Sequence, residues 1–428
     1  MKGSMALYNA VLMLGLGLGM PLWGPMLAWR PRLRVGFFPR LAGKAPLRGR
    51  DEPSGVWFHA VSVGEVMASL PLLQVLAHSC RDGGLWVSTV TSTGQAVARA
   101  KAQGVRSTFY LPYDLPWSVA RAVKRLRPRL FVTAETELWP NLLVGLRERG
   151  VALALVNGRI SDRSFPRYRR FKALFRTVLD CFDVLCMQSE ESAERMVAMG
   201  AHPAKVHVVG NLKFDVATPP VDEARWRSLL GIPQGVPVWV AGSTHPGEEE
   251  CILKAFLRAS RSCPQLHLVV APRAPERFDE VETLVACLGV PVRRRSRGGK
   301  GEARVVLLDT MGELAHVYGL ATVGFVGGSL VDRGGHNPLE VALHGRPVLF
   351  GPHMENFREI ASLLLKAGGA RCIKGQEELG DSVEQILASP DLREQMGQRA
   401  HGVLLAHRGA TQRTMELLRP LLERDPWA

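Results

Sequence analysis

Short apolar segments alternate with helix-like patterns in two rounds along the chain, and this alternation limits the fold more than any other sequence feature. In the first round the apolar segments are 56–61, 85–90, 108–111, 130–134, 152–157 and 184–187. After Pro219 and Pro220 they are 238–241, 267–271, 305–308, 322–326 and 347–350. Strands separated by helices predict parallel sheets covered by helices on both faces. Because 428 residues exceed one ordinary core, we predict an α/β protein with two Rossmann-like domains, 31–218 and 219–428. Whether the final helix packs back on the first domain is left open.

The loops that follow the predicted strands differ in character between the two domains. Those of the first domain are polar and acidic, at 59–65, 135–141 and 157–159. Those of the second carry glycines, arginines and helix starts, at 242–245, 272–273, 311–313 and 327–340. Ligands of such folds bind at the carboxyl ends of the strands, so two domains facing across a cleft would share a site there. This division favours a phosphate-bearing donor in the second domain and a hydroxyl acceptor in the first. No G-x-G-x-x-G sequence follows the first strand, which counts against a dinucleotide-dependent oxidoreductase.

The stretch 321–340, ATVGFVGGSLVDRGGHNPLE, combines a strand, a glycine loop and a helix start. Gly327 and Gly328 end the strand, while Asn337 and Pro338 suit the cap and first turn of a helix. Such an arrangement can direct backbone N–H groups at a phosphate. The same residues also fit a plain loop with a capping box from Asn337 to Glu340. The glycines alone do not decide between these interpretations.

The net charge limits the kinds of partner that the protein can bind, and the cysteine pattern indicates the compartment in which it works. The net charge of +14 favours anionic partners. Zinc-finger spacing, an aromatic-basic strand and a long basic run are all missing from the sequence, so we predict no nucleic-acid partner. The seven cysteines are scattered without a C-x-x-C pair, which indicates a reducing compartment and no zinc site.

Residues 3–29 form an uncharged segment that is long enough to cross a bilayer. A cleaved signal peptide is the alternative, but no convincing small-x-small cleavage site follows. If Pro21 and Pro25 end the helix early, the segment becomes a shallow or re-entrant anchor. Basic residues follow at 30, 32, 34, 40, 44, 48 and 50, whereas only Lys2 precedes the segment. The positive-inside rule then predicts a membrane anchor at 1–30, with the body of the protein on the cytoplasmic face.

Ten short motifs occur in an order that is typical of one family. They are HAVSVGE, LPYD, ETELWPN, QSEE, GNLKFD, AGSTHPGEE, APR, MGEL, FVGGSL-x-x-RGGHNPLE and VLFGP-x-x-x-NFREI, between about residues 56 and 360. In these motifs the chain resembles the 3-deoxy-D-manno-octulosonic acid (Kdo) transferases, which move Kdo from CMP-Kdo to a lipid A precursor. It departs from the family at Gly158, where alanine is more common, and at Asp332, where proline is common. Neither position carries an assigned role.

The resemblance implies a GT-B glycosyltransferase that inverts configuration and needs no metal and no cofactor. By its match to the SVGE motif, Glu65 is the general base that takes a proton from the acceptor hydroxyl. Its position at a helix start favours the ionised carboxylate, although a first-turn glutamate that only complements the helix dipole fits the spacing too. Glu137 is a second acidic candidate, and with Glu135 it mimics a D-x-D metal motif. Lys213, in GNLKF, would stabilise the leaving group, although a lone lysine there is otherwise a surface residue.

The resemblance also implies where the substrates bind. CMP-Kdo would contact the second domain, where Arg273 suits phosphate and Glu340 suits ribose hydroxyls. The acceptor, the lipid A precursor lipid IVA, places the reaction at the bacterial inner membrane in lipopolysaccharide core biosynthesis. The residues that match CMP-binding positions are Pro272, Arg273, Met311, Gly312, Glu313, Asn337, Pro338, Leu339 and Glu340. The histidines at 59, 245, 336 and 353 have no metal-ligand spacing and receive no role.

The segment 163–176 interleaves basic and aromatic residues and predicts an amphipathic helix. It fits a membrane-surface helix, and it fits equally a helix that packs its aromatic side on the core. The lipid acceptor favours the membrane surface slightly. Two other classes of function remain as alternatives. A nucleotide-sugar 2-epimerase shares the GT-B form but needs no anchor, and a membrane-tethered binding protein would have no use for intact catalytic positions.

Overall fold

The computed structural model describes residues 2–29, 36–49, 52–80, 84–162, 164–298 and 303–427. The chain forms two compact units, the first from Met1–Val216 with His407–Ala428 and the second from Ala217–Ala406. Some arginines of the predicted membrane-anchor flank and of the predicted amphipathic helix lie outside the described residues, at positions 30, 32, 34, 50 and 163. Both units are parallel α/β folds, which confirms the predicted class.

The first unit has a parallel sheet with the strand order β3-β2-β1-β4-β5-β6-β7 among its described residues. The strands are β1 Val56–His59, β2 Leu85–Thr89, β3 Ser107–Tyr110, β4 Leu130–Ala134, β5 Ala152–Gly158, β6 Val184–Met187 and β7 Val206–Val208. The helices are α1 Lys2–Trp29, α2 Phe37–Leu41, α3 Val63–Ser79, α4 Ser92–Lys101, α5 Pro116–Leu126, α6 Pro140–Arg147, α7 Phe165–Arg170, α8 Lys172–Leu179 and α9 Glu190–Ala198.

Alternate residues of these strands enter two separate cores, one on each face of the sheet. Trp57 of β1 packs in one core with Phe131, whereas Phe58 packs in the other with Val132. Every residue of β1, β4 and β5 is buried. A parallel strand covered on both faces is mostly apolar, which is why nearly continuous apolar runs predicted these strands.

The second unit repeats this plan with the order β10-β11-β9-β8-β12-β13-β14 among its described residues. Its strands are β8 Val238–Thr244, β9 His267–Pro272, β10 Val292–Arg294, β11 Val305–Leu307, β12 Val323–Val326, β13 Val348–Phe350 and β14 Ala370–Cys372. Its helices are α10 Glu223–Leu230, α11 Glu248–Ser262, α12 Phe278–Cys287, α13 Leu314–Val317, α14 Leu339–Ala342, α15 Arg358–Lys366, α16 Gln376–Ala388 and α17 Pro390–His407. The last helix, α18 Ala410–Leu422, belongs to the first unit, where Leu418 and Met415 join a core shared with α3.

Helix α1 runs without interruption past Pro21 and Pro25, so the expectation of an early end is wrong. A proline removes one backbone hydrogen bond but does not oblige a helix to stop. Across the described part of the chain, we find no helix that combines the length and apolar character needed to span a membrane.

The same helix is tied to the body of the first unit near its amino end. The Tyr8 hydroxyl donates to Asp114 at 2.9 Å, and the Asn141 side chain donates to Asn9 at 2.7 Å. Asp114 also accepts from the backbone N–H groups of Asn141 and Leu142 at the start of α6. Asp114, the last residue of LPYD, therefore caps the helix that begins in ETELWPN and also binds α1.

The basic aromatic segment forms two helices, α7 and α8, with a break at Phe171 in place of the one helix predicted. Phe165, Tyr168 and Phe175 pack against the core of the first unit. The side chains of Arg167, Arg169, Arg170, Lys172 and Arg176 are exposed. These aromatic side chains thus pack on the core, which was one of the two interpretations of the segment. The basic side chains form an exposed row.

Candidate functional site

Each sheet has one point at which the strand order reverses direction, and the candidate residues follow the strands on either side of it. In the first unit, β1 pairs with β4, and the loops after these strands carry Glu65 and Glu137. In the second unit, β8 pairs with β12, and the loops after them carry His245 and His336. Crevices at these reversal points are where open α/β sheets bind ligands.

Glu65 is buried in the first turn of α3. Its carboxylate accepts from the Val61 backbone N–H at 2.7 Å and from the Ser62 hydroxyl at 3.0 Å. The Ser62 hydroxyl in turn accepts from the Glu65 backbone N–H at 3.5 Å, which completes a reciprocal cap. The side chain is therefore fixed in one orientation, so capping and a chemical role are compatible in the same residue.

Burial raises the pKa of Glu65 to about 7, and the negative charge of Glu135 contributes to the rise. The sequence predicted an ionised carboxylate favoured by the helix dipole, and the structure differs because desolvation outweighs the dipole and the hydrogen bonds. A carboxyl group with a pKa near the working pH is suited to accept a proton as a general base.

Glu135 and Glu137 are two further acidic residues of the candidate site, in the loop that follows β4. Burial, and then the charge of Glu135, raise the pKa of Glu137 to about 7. Glu135 itself adopts a left-handed backbone conformation, with φ of 56°, and its N–H donates to the Val156 carbonyl at 2.9 Å. Non-glycine residues in this conformation are uncommon and gather at functional sites. Sequence reasoning gave Glu135 no separate role, although its position directly after a buried strand was visible.

Lys213 lies in a short turn, Leu212–Asp215, that a chain of hydrogen bonds fastens to the ends of β5 and β6. Asn157 accepts from the Leu212 N–H at 3.0 Å, and the Gln188 amide donates to the Asn157 carbonyl at 2.8 Å. Asn211 donates to Gln188 and accepts from the Lys213 N–H, both at 3.0 Å. The turn also packs on α3, the helix that begins beside Glu65. The QSEE and GNLKFD motifs thus fix the backbone that carries Lys213.

Three N–H groups of the glycine loop after β12 are already paired within the chain, whereas a phosphate at the helix start formed by Asn337 and Pro338 stays a prediction. The buried Glu248 carboxylate accepts from the N–H groups of Gly328, Ser329 and Leu330 at 2.7–2.9 Å, and from His245 at 2.9 Å. Burial raises the pKa of Glu248, while these hydrogen bonds oppose the rise. The loop therefore is an anion site, but one that the chain fills with its own carboxylate.

The residues predicted to bind CMP follow three strands of one sheet. Arg273, exposed after β9, donates its backbone N–H to Thr244 at 2.9 Å. Glu313, after β11, accepts from Arg295 at 3.1 Å, whereas Met311 is exposed. Asn337 accepts from the Leu339 N–H at 3.2 Å, but α14 is only four residues long and its N-cap is Pro338, not the Asn337 that the sequence predicted. Because β9, β11 and β12 are parallel and belong to one sheet, these residues share one edge of the second unit. Of the remaining predicted positions, Pro272 ends β9, Gly312 lies in the loop after β11, Pro338 precedes α14, and Leu339 and Glu340 begin that helix.

Two histidines that received no role in the sequence analysis meet at this edge. The Nε2 atoms of His245 and His336 are 2.9 Å apart. No spacing rule reveals such a pair, since the residues are 91 positions apart in sequence, but each follows a strand at the reversal point. His353, whose N–H donates to the Ser329 carbonyl at 3.0 Å, lies with Asp332 and Glu355 in a group whose oxygen and nitrogen atoms are within 4.8 Å of one another. Exposed groups of this kind commonly occur without an ion, and the expectation of a metal-free enzyme stays a prediction.

Comparisons with known proteins agree with the motifs. A family model described as 3-deoxy-D-manno-octulosonic-acid transferase matches residues 29–216. The chain is 37% identical to the 3-deoxy-D-manno-octulosonic acid transferase of Haemophilus influenzae, over 87% of this chain and 88% of that one. It is 35% identical to the enzyme of the same name from Bordetella pertussis, over 91% of this chain and 94% of that one.

Among solved structures, the UDP-GlcNAc 2-epimerase of Neisseria meningitidis superimposes with a TM-score of 0.60, at 12% identity, over 86% of this chain and all of that one. At that identity the likeness concerns the fold alone. The identity to curated transferases over nearly the whole chain carries the assignment, and this chain belongs to the Kdo transferase family.

Proposed function

We propose that this protein transfers Kdo from CMP-Kdo to the lipid A precursor lipid IVA, in lipopolysaccharide core biosynthesis, with inversion and without a metal. The observation that carries the proposal is the buried Glu65 carboxyl group, fixed at the reversal point of the first sheet with a pKa of about 7. Family membership supplies the substrate class, and this group supplies a base of suitable strength and orientation.

In the proposed step, Glu65 takes the proton from an acceptor hydroxyl of the lipid. The oxygen attacks the anomeric carbon of Kdo from the face opposite the phosphate, and the bond from that carbon to the phosphate oxygen breaks. CMP leaves with the electron pair of that bond. Lys213 provides positive charge for the phosphate of the departing CMP. Glu135 and Glu137 keep the local potential negative, which raises the basicity of Glu65.

The donor is assigned to the carboxyl edge of the second sheet. Arg273 is an exposed cation there, suited to phosphate, and Glu340 suits a ribose hydroxyl. The loops at 311–313 and 337–340 supply backbone groups for the nucleoside. Because Glu248 occupies the N–H groups of the glycine loop, side chains rather than that loop provide the phosphate contacts in this proposal.

Attachment to the cytoplasmic face of the inner membrane is proposed through α1. Four apolar side chains lie on one side of this helix with 61–77% of their surface exposed: Leu7, Val11, Leu14 and Leu18. Helix α8, which contacts α1, carries exposed Lys172 and Arg176. Apolar side chains beside cations are typical of helices that bind anionic lipid surfaces.

A direct assay tests the function. The full-length protein is incubated with CMP-Kdo and a tetraacylated lipid A precursor, and the lipid is analysed by mass spectrometry. We expect a lipid product that has gained Kdo, with CMP released only when acceptor is present. An epimerase would alter the sugar nucleotide without acceptor, and a binding protein would release no CMP, so either result would contradict the proposal.

Membrane attachment predicts a selective effect of Leu14→Glu. The change places a charge where an apolar side chain would be buried in lipid, so vesicle binding should weaken by about tenfold or more. Transfer to detergent-dispersed acceptor should remain at the wild-type rate. Val75→Glu, at an exposed apolar position of α3, is the matched control and should leave vesicle sedimentation unchanged. Equal sedimentation of wild type and Leu14→Glu with anionic vesicles would exclude α1 as the attachment surface.

A further inference from the structure

The turn that carries Lys213 is anchored by a buried side chain on either side of that residue. Leu212 and Phe214 are fully buried, whereas Lys213 between them is partly exposed. Leu212 belongs to one of the two cores of the first unit. The Phe214 ring stacks on the ring of His407, with the centroids 5.0 Å apart. Two anchored neighbours leave the backbone of Lys213 little freedom, so its side chain starts from a fixed point.

Asn157 connects the first side of this turn to the carboxyl end of β5. Its buried side chain accepts from the Leu212 N–H at 3.0 Å, and its backbone has a left-handed φ of 54°. Asparagine tolerates that conformation better than most residues. The preceding carbonyl, of Val156, accepts from the Glu135 N–H at 2.9 Å. Asn157 therefore lies at a junction that touches both the acidic loop and the turn of Lys213.

Asp215 connects the second side of the turn to α18. Its carboxylate accepts from the backbone N–H of Gly409 at 2.7 Å and from that of Thr411. Gly409 is the N-cap residue of α18 and makes no side-chain cap. Asp215 therefore caps this helix from 194 positions away in the sequence. A carboxylate at the amino end also complements the dipole of the helix.

Further contacts make α18 a firm support for the turn. Arg413 of α18 donates to the Val209 carbonyl at 2.8 Å, directly before the GNLKFD motif. Ala410 and Leu418 of the same helix are buried in one core with Val209 and Leu212. The motif is thus held by one helix at both ends, at Val209 before it and through Asp215 at its last residue. A displacement of α18 would displace the turn.

The position of the turn matters because lysine carries its charge at the end of a flexible four-carbon stem. Where the ammonium can reach is set by where the backbone begins. An error of about 1 Å in the placement of a reacting group can cost about 100-fold in rate. Contacts that fix the backbone of Lys213 are therefore able to affect transfer without touching either substrate.

We propose that Asn157 and Asp215 are positioning residues for Kdo transfer, which together place the Lys213 ammonium for the charge on the departing CMP. α18 is then part of the machinery of transfer, although it bears none of the proposed catalytic side chains. The inference rests on the proposed role of Lys213, and it adds two residues and a helix that act through it.

Asn157→Gly and Asp215→Ala in the full-length protein each remove one of the two anchors. Glycine keeps a positive φ without strain, so the first change removes only the acceptor of the Leu212 N–H. Each change should lower kcat for transfer from CMP-Kdo to a tetraacylated lipid A precursor by about 10- to 100-fold. The KM for CMP-Kdo should stay at the wild-type value, because the residues that we assign to the donor are elsewhere. The anchors are separate, so either variant tests the proposal if the other does not fold.

Double variants show whether the anchors act through Lys213. Lys213→Ala should lower kcat by about 10²- to 10³-fold, as the loss of one charge-stabilising group does. Adding Asn157→Gly or Asp215→Ala to it should cost nothing further, because the ammonium that they place is already gone. Losses that multiply in the double variants would overturn the proposal. Wild-type kcat for Lys213→Ala would overturn it as well.

Two changes of the same kind elsewhere in the chain control for a general loss of stability. Asp222→Ala removes a cap of α10, where the side chain accepts from the Arg225 N–H at 3.0 Å. Asp183→Ala removes the acceptor of the Leu153 N–H, at 3.0 Å, near the other end of β5. Both should lower the melting temperature and leave kcat at the wild-type value. Equal losses of kcat in these controls and in the two anchor variants would exclude a positioning role.

Amide hydrogen exchange, followed by mass spectrometry, supplies a measurement that does not depend on activity. The turn Leu212–Asp215 should exchange at least about tenfold faster in each anchor variant than in the wild type. Wild-type exchange together with wild-type kcat in both variants would overturn the proposal.

Failure of this inference can be told from failure of the proposed function. If the wild-type protein transfers Kdo but the losses multiply in the double variants, only the positioning role is wrong. If the wild-type protein transfers no Kdo, the proposed function is wrong and the positioning role falls with it. Hydrogen exchange would then still show whether the two side chains hold the turn.

Discussion

Glu65→Gln is expected to lower kcat for Kdo transfer by about 10²- to 10⁴-fold, the usual loss when a general base is removed. Glutamine keeps the size of the side chain and one oxygen for the Val61 N–H, which Glu65 binds at 2.7 Å. It cannot accept the hydroxyl proton. Product formation is measured by mass spectrometry at saturating substrates, and CMP binding by calorimetry should stay at the wild-type value.

A conservative change elsewhere on the same helix serves as the control. Gln74→Glu on α3, at an exposed position, should leave both kcat and the melting temperature unchanged. A Glu65→Gln protein that turns over at a near-normal rate would remove Glu65 from the role of base. If the Glu65→Gln protein has a melting temperature well below that of the wild type, the loss of activity would instead come from loss of the cap formed with Ser62.

The pH dependence follows from the same carboxyl group. Because the base must be deprotonated and its pKa is about 7, wild-type kcat should fall as the pH drops through 7 and level off above it. The apparent pKa read from this profile belongs to Glu65 and Glu137 together, because the titrations of neighbouring carboxyl groups are coupled. Removing the charge of Glu135 with Glu135→Gln should move this transition to lower pH, since that charge raises the pKa of Glu65. A transition unmoved by the change would contradict the electrostatic coupling.

Glu248→Ala is expected to destabilise the second unit by about 3–5 kcal/mol, because it leaves several buried N–H groups without an acceptor. Glu248 is fully buried and accepts from four backbone N–H groups, three of them on the glycine loop. The proposed donor site lies at the same edge of the sheet as this loop, so donor binding should be lost with the local structure. Thermal melting and chemical denaturation measure the effect.

Glu250→Ala provides the matched control for that change. Glu250 lies in the same first turn of α11 but is exposed, where it pairs with Lys254 at 2.6 Å. Exposed pairs one helical turn apart contribute little to stability, so the melting temperature should not change measurably. Equal melting temperatures for Glu248→Ala and the wild type would contradict the prediction, because water would then replace the carboxylate without a loss of stability.

Sequence reasoning located the central strands well because a parallel strand covered on both faces is apolar along most of its length. β4 and β6 begin and end at the predicted residues, 130–134 and 184–187. The short edge strands β7, β10 and β14 were missed. Their residues are mostly only partly buried, since an edge strand has a neighbour on one side only, and the apolar signal is correspondingly weak.

The candidate base could be predicted because its position depends on local features, a turn and a helix start directly after a strand. Its pKa could not, since that value depends on burial and on Glu135, a residue far away in sequence. The sequence also predicted the order of the loops at the edge of the second sheet. It could not predict which groups would already be paired there.

What the sequence determined by itself is therefore the class of fold, the order of the strand-end loops and the family. The tertiary structure decided that Glu248 fills the anion site of a loop 80 residues away, and that His245 and His336 share a hydrogen bond across 91 residues. The tertiary structure also decided that α18, at the end of the chain, belongs to the first unit. Apolar periodicity is a local property of the chain, whereas the pairing of a buried polar group depends on whichever segments the fold brings to it.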